Sequence, residues 1–135
     1  MGLLLALPLA VSCGRLDRVA QCNRVARTVN EALARLEARQ QQPGPADAKH
    51  RDLAAGYRKL AKDLTGLSVA HPALQDAVDD YRLLAEQTAT ELEKLGQAPA
   101  QRKKPLDTAR ARRPFEALQR REQMLHTKLQ AACRH

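Results

Sequence analysis

The amino-acid sequence predicts an all-α protein folded as an up-down-up-down four-helix bundle. Three observations predict it. The 135 residues include 24 Ala and 21 Leu but only six Val, three aromatics and no Ile. Strands draw on β-branched and aromatic side chains, whereas Ala, Leu, Arg, Glu and Gln favour helix. Gly and Pro gather at four places: Cys13-Gly14, Gln42-Pro43-Gly44-Pro45, Gly66 to Pro72, and Gly96 to Pro105, with Pro114 beyond. Such clusters punctuate a chain and leave four segments of helical length between them. Within each segment the apolar residues recur at steps of three and four, the period of one helical face. The length fits one domain, and a core made of Leu and Ala is thin.

Residues 1–12, MGLLLALPLAVS, form an uncharged apolar run that stops at Cys13. The run falls short of the ~20 residues that span a bilayer as a helix, and it suits the apolar region of a signal peptide. Leu9-Ala10-Val11-Ser12-Cys13 resembles the lipobox of bacterial lipoproteins, with Ala10 where Leu is usual. The resemblance ends at Cys13. It implies cleavage before Cys13, a lipid on that residue and anchorage in the bacterial cell envelope. Gly14 stands where Asp would retain such a protein at the inner membrane, which implies the outer membrane facing the periplasm. Two other readings of these residues stay open. Ala10-x-Ser12 suits an ordinary secretory cleavage that leaves Cys13 unmodified. Alternatively the run is the buried start of a cytosolic helix, against which Pro8 speaks.

The first helix is expected over about 15–41. Leu16, Val19, Cys22, Val25, Ala26, Val29, Leu33 and Leu36 are read as one face, with Arg18, Arg24, Arg27, Glu31, Arg35 and Arg39 largely off it. The second, about 46–66, carries Leu53, Tyr57, Leu60, Leu64 and Leu67 in the alternating spacing of a coiled-coil seam. Asp47 is its N-cap or first-turn acid. The third, about 72–95, opens at Pro72, which suits the first helical position. Its stripe is Leu74, Val78, Tyr81, Ala85, Thr88, Leu92 and Leu95. Asp76, Asp79 and Asp80 favour its N-terminal half, and Gly96 after Lys94 reads as a C-cap. The fourth, about 114–134, has Pro114 either beginning the main helix or kinking it, because proline lacks the donor an interior position needs and crowds the preceding turn; a start at Pro114, with a looser turn before it, is the expectation. It carries Phe115, Leu118, Leu125, Leu129 and Ala132, with Met124 beside them and Ala111 before.

There are three cysteines, Cys13, Cys22 and Cys133. An odd cysteine in an exported protein needs a role. Lipidation of Cys13 supplies one and leaves a pair. In an up-down bundle the first helix begins and the fourth ends at one pole, so Cys22 and Cys133 are expected to form a disulfide in an oxidising envelope. The loop closed exceeds 100 residues. In the chain-entropy treatment such a closure stabilises by about 4–5 kcal/mol.

The net charge is +8, and it is concentrated. Residues 1–100 carry 13 basic against 12 acidic side chains, and residues 101–135 carry 10 against 3. Arg102, Lys103, Lys104, Arg110, Arg112, Arg113, Arg120 and Arg121 make up most of this run. It attracts polyanions through a salt-sensitive term without sequence preference. In an envelope the candidates are anionic lipid, lipopolysaccharide or another envelope protein. For a cytosolic chain the alternative is nucleic acid, but stacking aromatics and reading motifs are missing from the run.

No catalytic constellation, cofactor or metal site is expected. Covalent haem needs Cys-x-x-Cys-His, whereas Ala132-Cys133-Arg134-His135 has one Cys. Di-iron bundles need paired Glu-x-x-His motifs, and Glu122 and His126 are four apart. His50, His71, His126 and His135 are scattered. The expected function is therefore non-catalytic binding or scaffolding at a membrane. The alternatives are a cytosolic nucleic-acid binder and a secreted helical binder of metal or haem.

Overall fold

The computed structural model describes residues 11–97 and 105–134. Among them are four α-helices and no strand: α1 Val11–Gln41, α2 Ala46–Thr65, α3 Pro72–Gln97 and α4 Pro105–Arg134. The helices α2 and α3 form the most extensive pair; α4 packs on α3, α1 packs on α2, and α1 and α4 touch only over a short stretch. The main core joins all four through Val25 and Val29, Leu60 and Leu64, Leu74, Val78, Tyr81 and Leu84, and Leu125 and Leu129. Leu60, Leu64 and Leu74 are completely enclosed, and each such side chain contributes about 1.5–3 kcal/mol of burial. A smaller cluster of Ala54, Ala89 and Leu92 lies between α2 and α3.

Local chemistry explains the helix ends. Proline precedes α2 as its cap, and Lys49 N–H donates to the Pro45 carbonyl at 3.1 Å. Asp47 is the first-turn acid; the Ala48 N–H, followed by Arg51, holds its carboxyl below the usual range. At the far end Gly66 N–H donates to Lys62 O at 3.2 Å and Leu67 N–H to Leu64 O at 3.2 Å, so carbonyls orphaned by the helix end are used.

Several expectations need correction. The first helix begins at Val11, not near residue 15, and runs through Cys13-Gly14, where a break was expected. The fourth helix starts at Pro105, and Pro114 lies inside it. Pro105 takes the first-turn place where a missing donor costs nothing. The strong helix formers Leu106, Ala109, Arg110, Ala111, Arg112 and Arg113 then carry the helix through the exposed Pro114. Gly96 is likewise not a C-cap, because α3 continues through Gln97. It is buried where α3 meets the start of α2: a Cβ there would lie 2.9 Å from Arg51 Cγ and 3.3 Å from the Asp47 carbonyl oxygen. Arg51 Nη1 donates to the Gly96 carbonyl at 3.1 Å across the same contact. A glycine in α2 does similar work, since a Cβ on Gly56 would stand 2.5 Å from Leu36 Cδ2 of α1.

The last correction concerns the buried face of α1. Leu16 and Val19 were expected inside, yet they are 71% and 51% exposed. Each step of three residues falls short of a full turn at 3.6 residues per turn. From Leu16 through Val19 and Cys22 to Val25 the stripe therefore winds half-way round the helix. Val25 is buried at 1% exposure, and Leu16 is on the opposite side. Met124, also placed near the core stripe, is 66% exposed.

Candidate functional site

The end of the molecule where α1 and α4 meet is built by a few long-range contacts. Cys22 and Cys133 stand at disulfide distance, with Cα atoms 5.8 Å apart across a sequence separation of 111. Cys22 is buried and Cys133 packs against the same core. One turn before Cys22, Arg18 donates from Nη2 to the Ala132 carbonyl at 2.6 Å. That carbonyl belongs to the last turn of α4, where helix carbonyls lack internal partners and the dipole is negative, so a guanidinium suits it.

Gln21 ties the same end to the α2–α3 connection. It is only 5% exposed. Its amide carbonyl accepts the Ala70 N–H at 2.8 Å, and its amide nitrogen donates to Asp17 Oδ2 at 2.7 Å. Sequence reading had no signal for this, because the partner lies 49 residues away. The expected lipidation residue, Cys13, belongs by its backbone to the first turn of α1; its side chain and residues 1–10 lie outside the described set.

A polar cluster joins α2, α3 and α4. The Tyr81 hydroxyl donates to Glu122 Oε1 at 3.3 Å. Burial pushes the Tyr57 hydroxyl up to about 12, with Glu122 adding to the effect. Burial likewise raises Tyr81, and the charge and hydrogen bond of Glu122 raise it further. Both phenols thus stay protonated well above neutral pH, and Tyr81 is the one whose hydroxyl is seen to donate to Glu122. The apolar stripes pointed to both tyrosines; nothing in the spacing pointed to Glu122.

Of the expected anion-contact residues, Arg113 and Arg120 are exposed on α4. Arg121 instead reaches back to α3, donating from Nη1 to Gln87 Oε1 at 2.8 Å. Lys128, further along α4, pairs with Asp80 at 2.6 Å. Part of the cationic charge of α4 is therefore spent on the α3 contact. Arg102, Lys103 and Lys104 lie outside the described residues, and the side chains of Arg110 and Arg112 lie outside the described set.

Among the described residues no group of three or more His, Cys, Asp or Glu could hold a metal ion. No described helix is long and apolar enough to cross a membrane. No family model, curated protein or solved structure matches the chain.

Proposed function

We propose that this chain is a small lipoprotein of the bacterial cell envelope, anchored through a lipid on Cys13 and acting by binding or scaffolding rather than catalysis. In this reading the helices form an up-down-up-down bundle, supported by short connections and by packing of each helix on its chain neighbour. The basic stretch around the start of α4 faces anionic envelope components, and the exposed Arg113 and Arg120 are available for that contact.

The observation that carries the reading is the Cys22–Cys133 pair at disulfide distance. Disulfides form and persist in oxidising compartments and are rare in the cytosol, so a bridged pair here supports export. With that pair accounted for, Cys13 is the odd cysteine, and it stands where an apolar run ends in a lipobox-like segment. The test is growth with a lipid probe followed by the mass of the mature N-terminus. Label on the wild type, none on Cys13→Ala, and a mature chain that begins at Cys13 are the expected results. Absence of label, or equal label on Cys13→Ala, overturns the anchor. An intact Met1 overturns export.

A further inference from the structure

The first turns of α1 present an apolar and cationic outer surface. Leu16 and Val19 are 71% and 51% exposed, although large aliphatic side chains are ordinarily covered. They are adjacent, one helical step of three apart, on the side of α1 away from the core residue Val25. Between Gly14 and Arg27 this helix carries four arginines, Arg15, Arg18, Arg24 and Arg27, against the single Asp17. Arg18 is engaged with the end of α4, whereas Arg15, Arg24 and Arg27 are exposed. Arg27 follows Leu16 by eleven residues, close to three full turns, which puts it on the same side of the helix. The exposed Arg134 adds another cation at this end, one residue past Cys133.

We propose that this surface lies on an anionic bilayer, with Leu16 and Val19 entering the interfacial region and Arg15, Arg24 and Arg27 holding the headgroups. The inference rests on the anchoring proposed above and adds how the protein sits once anchored. Two features choose a membrane as the occupant. The first is continuity: Leu16 follows the anchoring residue Cys13 by three residues, about 4.5 Å of helix rise. The second is charge: an apolar patch rimmed by arginines complements an anionic surface, and arginine stems lie readily over an apolar boundary. A second copy of the chain would set the same arginines against one another.

The chain contains no tryptophan, so Leu16→Trp and Val19→Trp each yield a protein with one indole reporter. Leu83→Trp, on α3 at a 40% exposed position, is the control. Each full-length protein, with native Cys13 and with Cys13→Ser, is mixed with vesicles of phosphatidylcholine alone or with phosphatidylglycerol, with brominated lipids as quenchers. The expected result is a blue shift and quenching of the reporters at 16 and 19 in phosphatidylglycerol vesicles, weakened by salt, with the reporter at 83 unchanged. The paired change Leu16→Asp with Val19→Asp lowers vesicle partitioning about tenfold and leaves the helical circular dichroism intact, since both side chains are exposed. Equal quenching at all three positions, no quenching at 16 and 19, or a shift that follows protein concentration without vesicles overturns the proposal. Loss of reporter quenching with the lipid label retained refutes this surface and leaves the anchor. Quenching on a chain that takes no label does the reverse.

Discussion

Reduction of the Cys22–Cys133 bridge is the perturbation with the largest expected effect. The sequence separation is 111. In the chain-entropy treatment, closing a loop of that length stabilises the folded state by about 4.8 kcal/mol at 25 °C. A domain of this size has a total stability of about 7–20 kcal/mol, so the bridge supplies a quarter or more of it. With about 2.1 cal/mol/K of unfolding entropy per residue over 135 residues, the loss corresponds to a fall in Tm of about 17 °C. Thermal and urea unfolding followed by helical circular dichroism, with and without reductant, measures it directly. Cys133→Ser is the matched variant, because Cys133 is less buried than Cys22. It should melt with the reduced wild type and show no response to reductant. A reduced protein melting within about 2 °C of the oxidised one would refute the reasoning, since the loop-closure term would then be nearly absent. Two free thiols in the untreated protein would refute the pairing itself.

Gly56→Ala should destabilise by about 1–2 kcal/mol through overpacking against Leu36; in a Leu36→Ala background the same change should be neutral or gain up to about 1 kcal/mol of helix propensity, a coupling that a denaturation cycle reads. Gln21→Ala should cost about 1 kcal/mol in urea unfolding, because it removes the part-buried hydrogen bond to the Ala70 N–H, a donor that water can reach once the amide is gone. Tyr57 and Tyr81, the only tyrosines, should both develop phenolate absorbance late in an alkaline titration, with Tyr57 near 12. Since their folded values lie above the ordinary ~10, their contribution is intact below that pH and is lost as pH rises through the folded values. Alkaline unfolding and the absorbance change should therefore come together. Glu93 behaves in the opposite sense: Arg58 grips it with two contacts of 2.8 Å and holds its carboxyl low. Its contribution is present above the ordinary carboxylate range and is lost as pH falls through the lowered value, so Glu93→Gln should flatten the acid side of the stability curve.

The elements legible in the sequence were those with ends written in Gly and Pro and faces written in Leu. The expected 46–66 and 72–95 nearly coincide with Ala46–Thr65 and Pro72–Gln97. The stripe from Leu74 to Leu92 is buried throughout, although α3 also buries Ala77, Leu84 and Ala89 because it packs against two neighbours. The errors have particular causes. Two prolines competed for the start of α4, and local rules favour a helix start at either. Gly96 read as a C-cap and Gly56 carried no signal at all, because a close approach of two helices is invisible until both are placed. Leu16 and Val19 satisfied the spacing rule pair by pair while winding out of the core. The candidate site was less legible than the fold. The cysteine pairing followed from counting and topology, but Arg18, Gln21 and Glu122 act through partners 114, 49 and 41 residues distant. No periodicity carries that information.

The bond between Cys22 and Cys133 also has a mechanical meaning. In the anchoring proposed above, a lipid on Cys13 would deliver any pull to the start of α1, and the cross-link would pass that load to the last turn of α4, bypassing α2 and α3. The 111-residue separation represents about 370–400 Å of extended chain. With the bond formed, none of that contour can be paid out under tension between the two ends. The helical body would ride on its tether as an inextensible bead, and reduction would turn the same chain into a long spring.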